Sequence, residues 1–371
     1  MTMKSLTDVL ILGGGIVGCA VADELSRRGV GVTLADPRGI GHGATQASAG
    51  MLAPFTEGLH DPVLHALGSE SLGLFDAFVE RVRTDGELVY GRTGSIDVAL
   101  DAATTMVLAA RAEELSREGI AHRLLDGDAA RRLEPSLAPD TTAALIIDAH
   151  GFAGVSQLTT ALWASAQRRG AKAITGSVQR IVPGHGTVRV EFESETRDAP
   201  YVVLATGCWS GRIDLAGAPP LPVRPVRGQL LALRWPNNEL PLRTVWGPRC
   251  YTVPWPDGTL LVGATVEEVG FDERTTVAGV HDLMEAVAEL LPMAWNASLS
   301  ATRVGLRPAT PDDRPIIGPS ARIEGLVYAT GHYRNGVLLA PITARIVADI
   351  VEGKSVTGAL DACAPGRFGE Y

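Results

Sequence analysis

The sequence predicts an α/β fold, α+β overall, in which a parallel strand–helix–strand unit is interleaved with a mostly antiparallel β-sheet unit. Three observations predict it. The chain opens on an apolar strand, a glycine-rich break, an amphipathic helix and a second apolar strand. Apolar strands of the same kind return at residues 201–205 and 326–330. Beyond a proline cluster at Pro219, Pro220, Pro222 and Pro225, short strands follow at close spacing, with turns such as Pro256-Asp257-Gly258.

The elements follow in order. Asp8-Val9-Leu10-Ile11-Leu12 has the pattern of a buried parallel strand, broken by Gly13-Gly14-Gly15. Ile16, Val17, Ala20, Val21 and Leu25 then recur at helical spacing up to Gly29, a C-cap residue. Residues 30–35 are a second strand ending at Asp36, and 37–50 read as a loop rich in glycine, serine and alanine. Residues 61–84 read as an amphipathic helix with Leu64, Leu67, Leu72, Phe75, Phe78 and Val79 near one face. A strand is predicted over 91–100, a helix over 103–119, and a helix over 156–170 with Ser156 as N-cap. Strands follow at 178–181, 188–192 and 201–205. The antiparallel series is placed at 228–235, 243–247, 249–254 and 259–264, with a helix at 277–291 and strands near 298–305. The last strand, 326–330, leads to a helix over 336–352 stopped by Gly353. One unit is therefore expected over 1–50, 150–215 and 310–371, and the other over 51–149 and 216–309.

Composition excludes several classes. The 371 residues are 46% hydrophobic and 20% charged, with a mean hydropathy of +0.13, which supplies a core and rules out general disorder. Lys+Arg 33 against Asp+Glu 42 gives a net charge of −9, which disfavours a nucleic-acid partner. No apolar run reaches the length of a membrane span, and Met1 to Asp8 carries one lysine and no long apolar stretch, so neither a membrane partner nor a secretory signal is expected. Cys19, Cys208, Cys250 and Cys363 are far apart, so no metal site and no disulfide framework is expected, and a cytoplasmic location fits.

Gly13-x-Gly15-x-x-Gly18 between strand and helix, with Asp36 closing the next strand, is a Rossmann-like dinucleotide signature. Gly13 permits the tight turn, Gly15 the approach of a pyrophosphate, and Gly18 the packing of helix on strand. The helix N-terminus presents N–H groups and positive dipole to the phosphates, and Asp36 accepts from ribose hydroxyls. Two distant features favour FAD over NAD. One is the strand that ends in Thr206-Gly207. The other is Thr330-Gly331-His332-Tyr333-Arg334-Asn335-Gly336 before the last helix, whose start is marked by Pro341. A helix N-terminus there can face a flavin ring and stabilise negative charge at its N1 side.

Together these segments resemble the D-amino-acid oxidase superfamily of FAD-dependent oxidoreductases, and within it the glycine-oxidase branch that serves thiamine biosynthesis. The likeness spans nearly the whole chain. Its most specific pieces are Ala47-Ser48-Ala49-Gly50-Met51-Leu52, Pro225-Val226-Arg227-Gly228-Gln229, Cys250-Tyr251-Thr252-Val253-Pro254, Val262-Gly263-Ala264-Thr265, Gly305-Leu306-Arg307-Pro308 and Gly331-His332-Tyr333-Arg334-Asn335-Gly336 with the helix after it. The resemblance implies an FAD-binding domain holding FAD non-covalently through Gly13, Gly15, Ile16, Val17, Gly18, Asp36, Pro37, Ala44, Thr45, Ala49, Gly50, Met51, Val178 and the run His332, Tyr333, Arg334, Asn335, Gly336, Val337 and Leu338. It implies that Arg307 pairs with a substrate carboxylate, that Tyr251 helps to hold it, and that Arg334 lines the same site. It implies glycine or a similar small amino acid as substrate, O2 as acceptor, H2O2 as product and a homotetramer as the assembly.

The chemistry of the residue types agrees. A guanidinium fork grips a carboxylate bidentately, and a tyrosine hydroxyl adds a directed donor. With the carboxylate held, Cα–H is aimed at flavin N5, and hydride transfer from the neutral amine needs positioning more than a base, so no catalytic acid or base is assigned. The alternatives for these residues are a structural ion pair at Arg307, a packed strand aromatic at Tyr251 and a loop brace at Arg334. His332 suits backbone contact better than proton transfer, and His42 and His60 are expected in solvated loops. Cys250 is expected to pack away from the Tyr251 face. Residues 308–318 hold no cysteine, so covalent flavin is not expected. Three departures bear on the substrate and cofactor: Asp36 stands where many relatives carry glutamate, Arg249 either favours an acidic substrate or faces solvent, and Val266 alters the room above the flavin. The rival activities are a D-amino-acid dehydrogenase, a sarcosine or N-methyl amino-acid oxidase, and a non-catalytic flavoprotein.

Overall fold

The computed structural model describes residues 8–57, 61–83, 88–236, 239–355, 361–369 and 371. β1 (Val9–Leu12), α1 (Ile16–Arg27) and β2 (Val32–Ala35) form where the pattern places them. They belong to a six-stranded sheet in the order Ile316–Pro319, Leu326–Thr330, Tyr201–Leu204, β1, β2, Lys172–Ile174. Every neighbouring pair is parallel except the edge pair of Ile316–Pro319 with Leu326–Thr330.

Alternation along the strands sends side chains to two different layers. Val9, Ile11, Val203 and Val327 join a core with α1 and the helices Val155–Arg168 and Ala340–Val351, which flank α1. Leu10, Leu12, Val202, Leu204 and Leu326 join a second core on the other face. That face is covered by a four-stranded sheet, Thr196–Ala199, Val188–Phe192, Val178–Pro183 and Asp214–Leu215, rather than by helices. The reason is local: Val188, Val190 and Phe192 are buried and alternate with more exposed neighbours, which is a strand period with no helical stripe.

The second large sheet has eight strands in the order Ser298–Ala309, Arg224–Arg234, Thr259–Gly263, Tyr251–Pro254, Thr244–Trp246, Ser95–Ala99, Ala143–Ile147, Arg123–Asp126. It is antiparallel except where Thr244–Trp246 lies parallel to Ser95–Ala99, the join between two distant stretches of chain. One face packs Leu231, Val245, Cys250 and Val262 against Leu283, Val287 and Leu290 of the helix Val277–Leu290. The other carries Leu230, Tyr251, Val253 and Leu261.

Several elements differ from the sequence expectation. The helix expected from Ser156 starts at Val155 and is capped by Gly154, which has no side chain to offer. The helix expected over 61–84 is Pro62–Glu80; Asp61 caps it by accepting from the Val63 and Leu64 amides, and Pro62 sits in its first turn. Residue 84, like His60, lies outside the described residues. The strand expected over 91–100 divides into Tyr90–Gly91 and Ser95–Ala99 at Gly94, whose φ of +79° turns the chain. The last helix begins at Ala340; residues 336–339 form a turn closed by the Leu339 amide on the Asn335 carbonyl at 2.8 Å. Among the described residues no helix is long and apolar enough to cross a membrane.

Candidate functional site

The glycine turn is built by close backbone approach. Gly13 has φ +111°, and a Cβ there would overlap the Ala205 carbonyl, coming 2.7 Å from its carbon. A Cβ on Gly18 would overlap the Gly13 carbonyl, so α1 packs directly on the turn. Gly15 is the N-cap of α1 and supplies no side-chain cap. The Ile16 amide donates to Thr45 Oγ1 at 3.0 Å. Asp36 is fixed on both oxygens: Oδ2 accepts from the Gly14 amide and Oδ1 from the Arg38 amide, each at 2.7 Å. Each oxygen keeps a further lone pair for a ligand hydroxyl.

A cavity of about 720 Å³ opens in front of this turn and reaches the face of the eight-stranded sheet. Residues 44–51 join the two. Thr45 meets the start of α1, and a Cβ on Gly305 would come 2.8 Å from Ala47 Cβ and 3.2 Å from Ala44 Cα. The Tyr333 amide donates to the Pro308 carbonyl at 2.9 Å, which ties the His332–Val337 loop to the strand carrying Arg307.

On that face the strand registers decide what lies side by side. Tyr251 and Leu230 both pair with Gly263, Gly228 pairs with Gly305, and Arg307 pairs with Val226. The side chains of Arg307 and Tyr251 occupy the space that side chains on two glycines would fill. A Cβ on Gly228 would come 2.5 Å from Arg307 Cζ and Nη1, and a Cβ on Gly263 would come 2.5 Å from Tyr251 Cζ and Oη. Arg307 Nη1 donates to the Thr265 carbonyl at 3.0 Å. The Tyr251 ring lies 5.2 Å from that of Trp246.

The rim over the other end is aromatic and cationic. The Arg38 guanidinium lies 4.2 Å over Trp209, that of Arg212 lies 3.5 Å over Phe271, and the two rings are 5.9 Å apart. Arg38 also pairs with Glu273 at 3.1 Å. Contacts of this kind hold about 0.5–1 kcal/mol each where exposed.

The residues expected from the sequence mostly converge. Gly13, Gly15, Ile16, Val17, Asp36, Pro37, Ala44, Thr45, Ala49, Gly50, Met51, Val178, His332, Tyr333, Arg334, Gly336 and Val337 line the cavity together with Tyr251 and Arg307. Arg334 is exposed at its edge. Three stand behind the wall. Gly18 is occupied with the Gly13 carbonyl. Leu338 is buried, with its carbonyl accepting from Ser71 Oγ at 2.6 Å. Asn335 is buried and closes the turn before the last helix.

His332 is buried, with its ring pushed down to about 4, and Nε2 faces Thr343 Oγ1 at 3.0 Å. A neutral ring is no proton reservoir at neutral pH. Burial pushes the Cys250 thiol up to about 12, and its side chain joins the core on the face opposite Tyr251. Arg249 does not reach the cavity: it pairs with Glu285 at 2.6 Å and Glu289 at 3.0 Å on the helix Val277–Leu290. Val266 is exposed and outside the lining. His42 is exposed, beside Gln46.

Sequence reasoning missed the rim residues Arg38, Trp209, Arg212 and Glu273, and it missed Thr265, whose carbonyl receives Arg307. Gly228, Gly263 and Thr265 stood inside quoted segments. The signal was the glycine paired across the sheet from a large functional side chain, which needs the register to be seen.

The cavity fits the flavin nucleotide that the resemblance implies. A helix end whose N-cap glycine carries no capping side chain and a pinned carboxylate meet at one side. At the other, among the described residues, the amides of Gly336, Val337 and Leu338 have no backbone acceptor, and a Cβ on Gly336 would meet only His332 Cβ, at 3.6 Å. Donors without carbonyl partners beside open space suit a flat ring that accumulates negative charge.

Comparison with known proteins gives consistent findings. Residues 8–350 match the family described as FAD dependent oxidoreductase. The chain is 35% identical over 356 residues to a bifunctional protein ThiO/ThiG of Nostoc sp., covering 94% of this chain and 53% of that one, so it spans about half the length of that relative. It is 33% identical over 359 residues to a glycine oxidase of Geobacillus kaustophilus, covering 94% of this chain and 93% of the relative. The crystal structure of glycine oxidase from Geobacillus kaustophilus matches with a TM-score of 0.92 at 32% identity, over 97% of this chain and 98% of that one. An iminodiacetate oxidase from Chelativorans sp. matches with a TM-score of 0.87 at 28% identity, over 96% and 98%.

Proposed function

This chain belongs to the FAD-dependent oxidoreductase family, and on that premise we propose that it oxidises glycine, or a similarly small amino acid, to the imine and then the 2-oxo acid. The observation that carries this reading is the placement of Arg307 and Tyr251 over Gly228 and Gly263, on a wall of the same cavity as the Gly13–Gly18 turn. Held by the Gly13–Gly18 turn, Asp36 and the His332–Val337 loop, FAD would supply a two-electron acceptor for the substrate and a donor to O2. The chain's own residues do the rest. Arg307 pairs with the carboxylate, and the Tyr251 hydroxyl donates to it. Fixing the carboxylate fixes Cα, which serves the reaction as positioning. His332, held neutral and turned to Thr343, leaves the amine to lose its proton to solvent. The balance is glycine, O2 and water giving glyoxylate, ammonia and H2O2.

The segments 1–50, 150–215 and 310–371 are read as the cofactor unit, and 51–149 with 216–309 as the substrate unit. FAD is read as non-covalent. A second reading follows from Arg334 at the cavity edge, since a second guanidinium suits a second carboxylate. An N-carboxymethyl substrate such as iminodiacetate is therefore tested beside glycine.

The experiment is anaerobic mixing of the purified flavoprotein with glycine, sarcosine, D-alanine and iminodiacetate, followed by assay under air. Bleaching of the flavin by glycine, with one H2O2 per turnover, is expected. Turnover without peroxide replaces the oxidase by a dehydrogenase, and no bleaching by any member of the panel overturns the amino-acid reading. Arg307→Ala is expected to lose turnover severely while FAD stays bound.

A further inference from the structure

We propose that Thr265 and Glu267 form a bracket that sets the position of the Arg307 guanidinium, making them positioning residues for the substrate carboxylate that they do not themselves touch. The inference rests on the assignment of Arg307 to that carboxylate.

The bracket lies where the sheet ends. The strand Thr259–Gly263 gives way to a loop, and the peptide carbonyl of Thr265 stands outside the ladder that fixes its neighbours. That carbonyl accepts from Arg307 Nη1 at 3.0 Å, and the Arg227 carbonyl lies 3.4 Å from the same nitrogen. A group that anchors a substrate-binding cation has to hold within about 0.5 Å. Side chains add to the one backbone bond Thr265 makes here, from its amide to the Gln229 carbonyl at 3.3 Å. Thr265 Oγ1 accepts from the Gln229 amide at 2.9 Å and donates to Glu267 Oε1 at 2.6 Å. Gln229 Nε2 donates to the same oxygen at 2.8 Å, and Arg227 Nη2 donates to Glu267 Oε2 at 2.5 Å. Arg227 and Glu267 also exchange backbone bonds of 2.9 and 3.0 Å.

The bracket is stiff because it is anchored from behind. Gln229 is fully buried, and its Oε1 accepts from the Thr276 amide at 2.9 Å. The Arg227 side chain is 4% exposed and also pairs with Asp272 at 3.0 Å. Burial alone raises the Glu267 carboxyl, but the bonds from Arg227, Thr265 and Gln229 outweigh it and hold the group below the usual carboxylate range. An ionised carboxylate only accepts, so the Thr265 proton is committed to Glu267 and its lone pairs face the Gln229 amide. Serine reproduces this pattern and valine, of the same shape as threonine, does not.

The test measures acetate, a carboxylate with no amine to oxidise, by titration calorimetry on the FAD-loaded protein, beside glycine kinetics. Thr265→Val is expected to raise the acetate Kd and the glycine KM together by about tenfold, with kcat within about threefold and FAD content unchanged. Thr265→Ser is expected to return both constants to near the parent values. Parent-like constants in Thr265→Val overturn the bracket, as does a loss confined to thermal stability. Where Thr265→Val does not accumulate, Glu267→Gln is read by the same criteria. Arg307→Ala separates the two layers of the argument. If it abolishes acetate binding while Thr265→Val does not weaken it, the bracket fails and the carboxylate assignment stands. If Arg307→Ala binds acetate normally, the assignment itself fails and the bracket with it.

Discussion

Replacing Gly228 by alanine tests the cationic end of the cavity through one methyl group. The added Cβ would come 2.5 Å from Arg307 Cζ and Nη1, where carbon contacts settle at about 3.5–4.0 Å. The guanidinium must therefore retreat by about 1 Å. It is the far end of a flexible side chain, so it moves and the strand does not. Alanine in a strand also lacks the entropy cost of glycine, so stability should change by less than about 1 kcal/mol. The bond to the Thr265 carbonyl and the aim at the substrate carboxylate are both disturbed. A charge-assisted hydrogen bond contributes about 1.5–3 kcal/mol, and 1.4 kcal/mol is tenfold, so glycine KM should rise by about 10- to 100-fold. The assay is steady-state H2O2 formation under air across a glycine series, with the melting temperature and flavin absorbance as controls. A folded, yellow Gly228→Ala protein with the parent KM would refute the claim that Arg307 works from this position.

Other outcomes follow from the same geometry. Gly18→Ala places a Cβ inside the Gly13 carbonyl, and backbone cannot yield as a side chain does, so this variant should purify with little flavin and melt lower; full flavin content would count against the close packing of α1 on the turn. Burial pushes His150 down to about 3 and His332 to about 4, so both are neutral when folded and protonate on unfolding below about 6.5. Stability should therefore be full above about pH 6.5 and fall as the pH drops towards 4. Asp97, pushed up to about 6 by burial, works in the opposite direction between about pH 4 and 6 and offsets part of the loss. A melting temperature that does not fall between pH 6.5 and 5 would contradict this balance. Arg249→Ala removes two exposed ion pairs on the helix Val277–Leu290, so glycine kinetics should be unchanged and stability altered by less than about 1 kcal/mol; a large KM effect would return Arg249 to the site.

The nucleotide turn was the most legible part of the sequence. Strand, glycines, helix and Asp36 are local features, and each has its own steric reason. The antiparallel strands were legible for a similar reason, since period-2 patterning and turn residues mark them. Strands such as Arg123–Asp126 and Lys172–Ile174 were not, because they are short and their pairing is decided by distant partners. The site divides in the same way. Arg307 and Tyr251 stood out by residue type and resemblance. Gly228 and Gly263 acquire meaning only through their registers with neighbouring strands, and the choice between site and surface for Arg249 stayed open because its glutamate partners lie 36 and 40 positions along the chain.

The order of strands in the six-stranded sheet sets a timetable for the nascent chain. β1 lies between β2 and Tyr201–Leu204, and the latter in turn needs Leu326–Thr330 on its far side. On a ribosome adding about 5–20 residues per second, β1 waits roughly ten to forty seconds for its second neighbour. Val9, Leu10, Ile11 and Leu12, all buried in the finished protein, remain a sticky, half-paired edge throughout that interval. The flavin pocket closes only once residues 329–337 have been made, so chaperone supply and flavin concentration during synthesis should govern the yield of active protein more than either does afterwards.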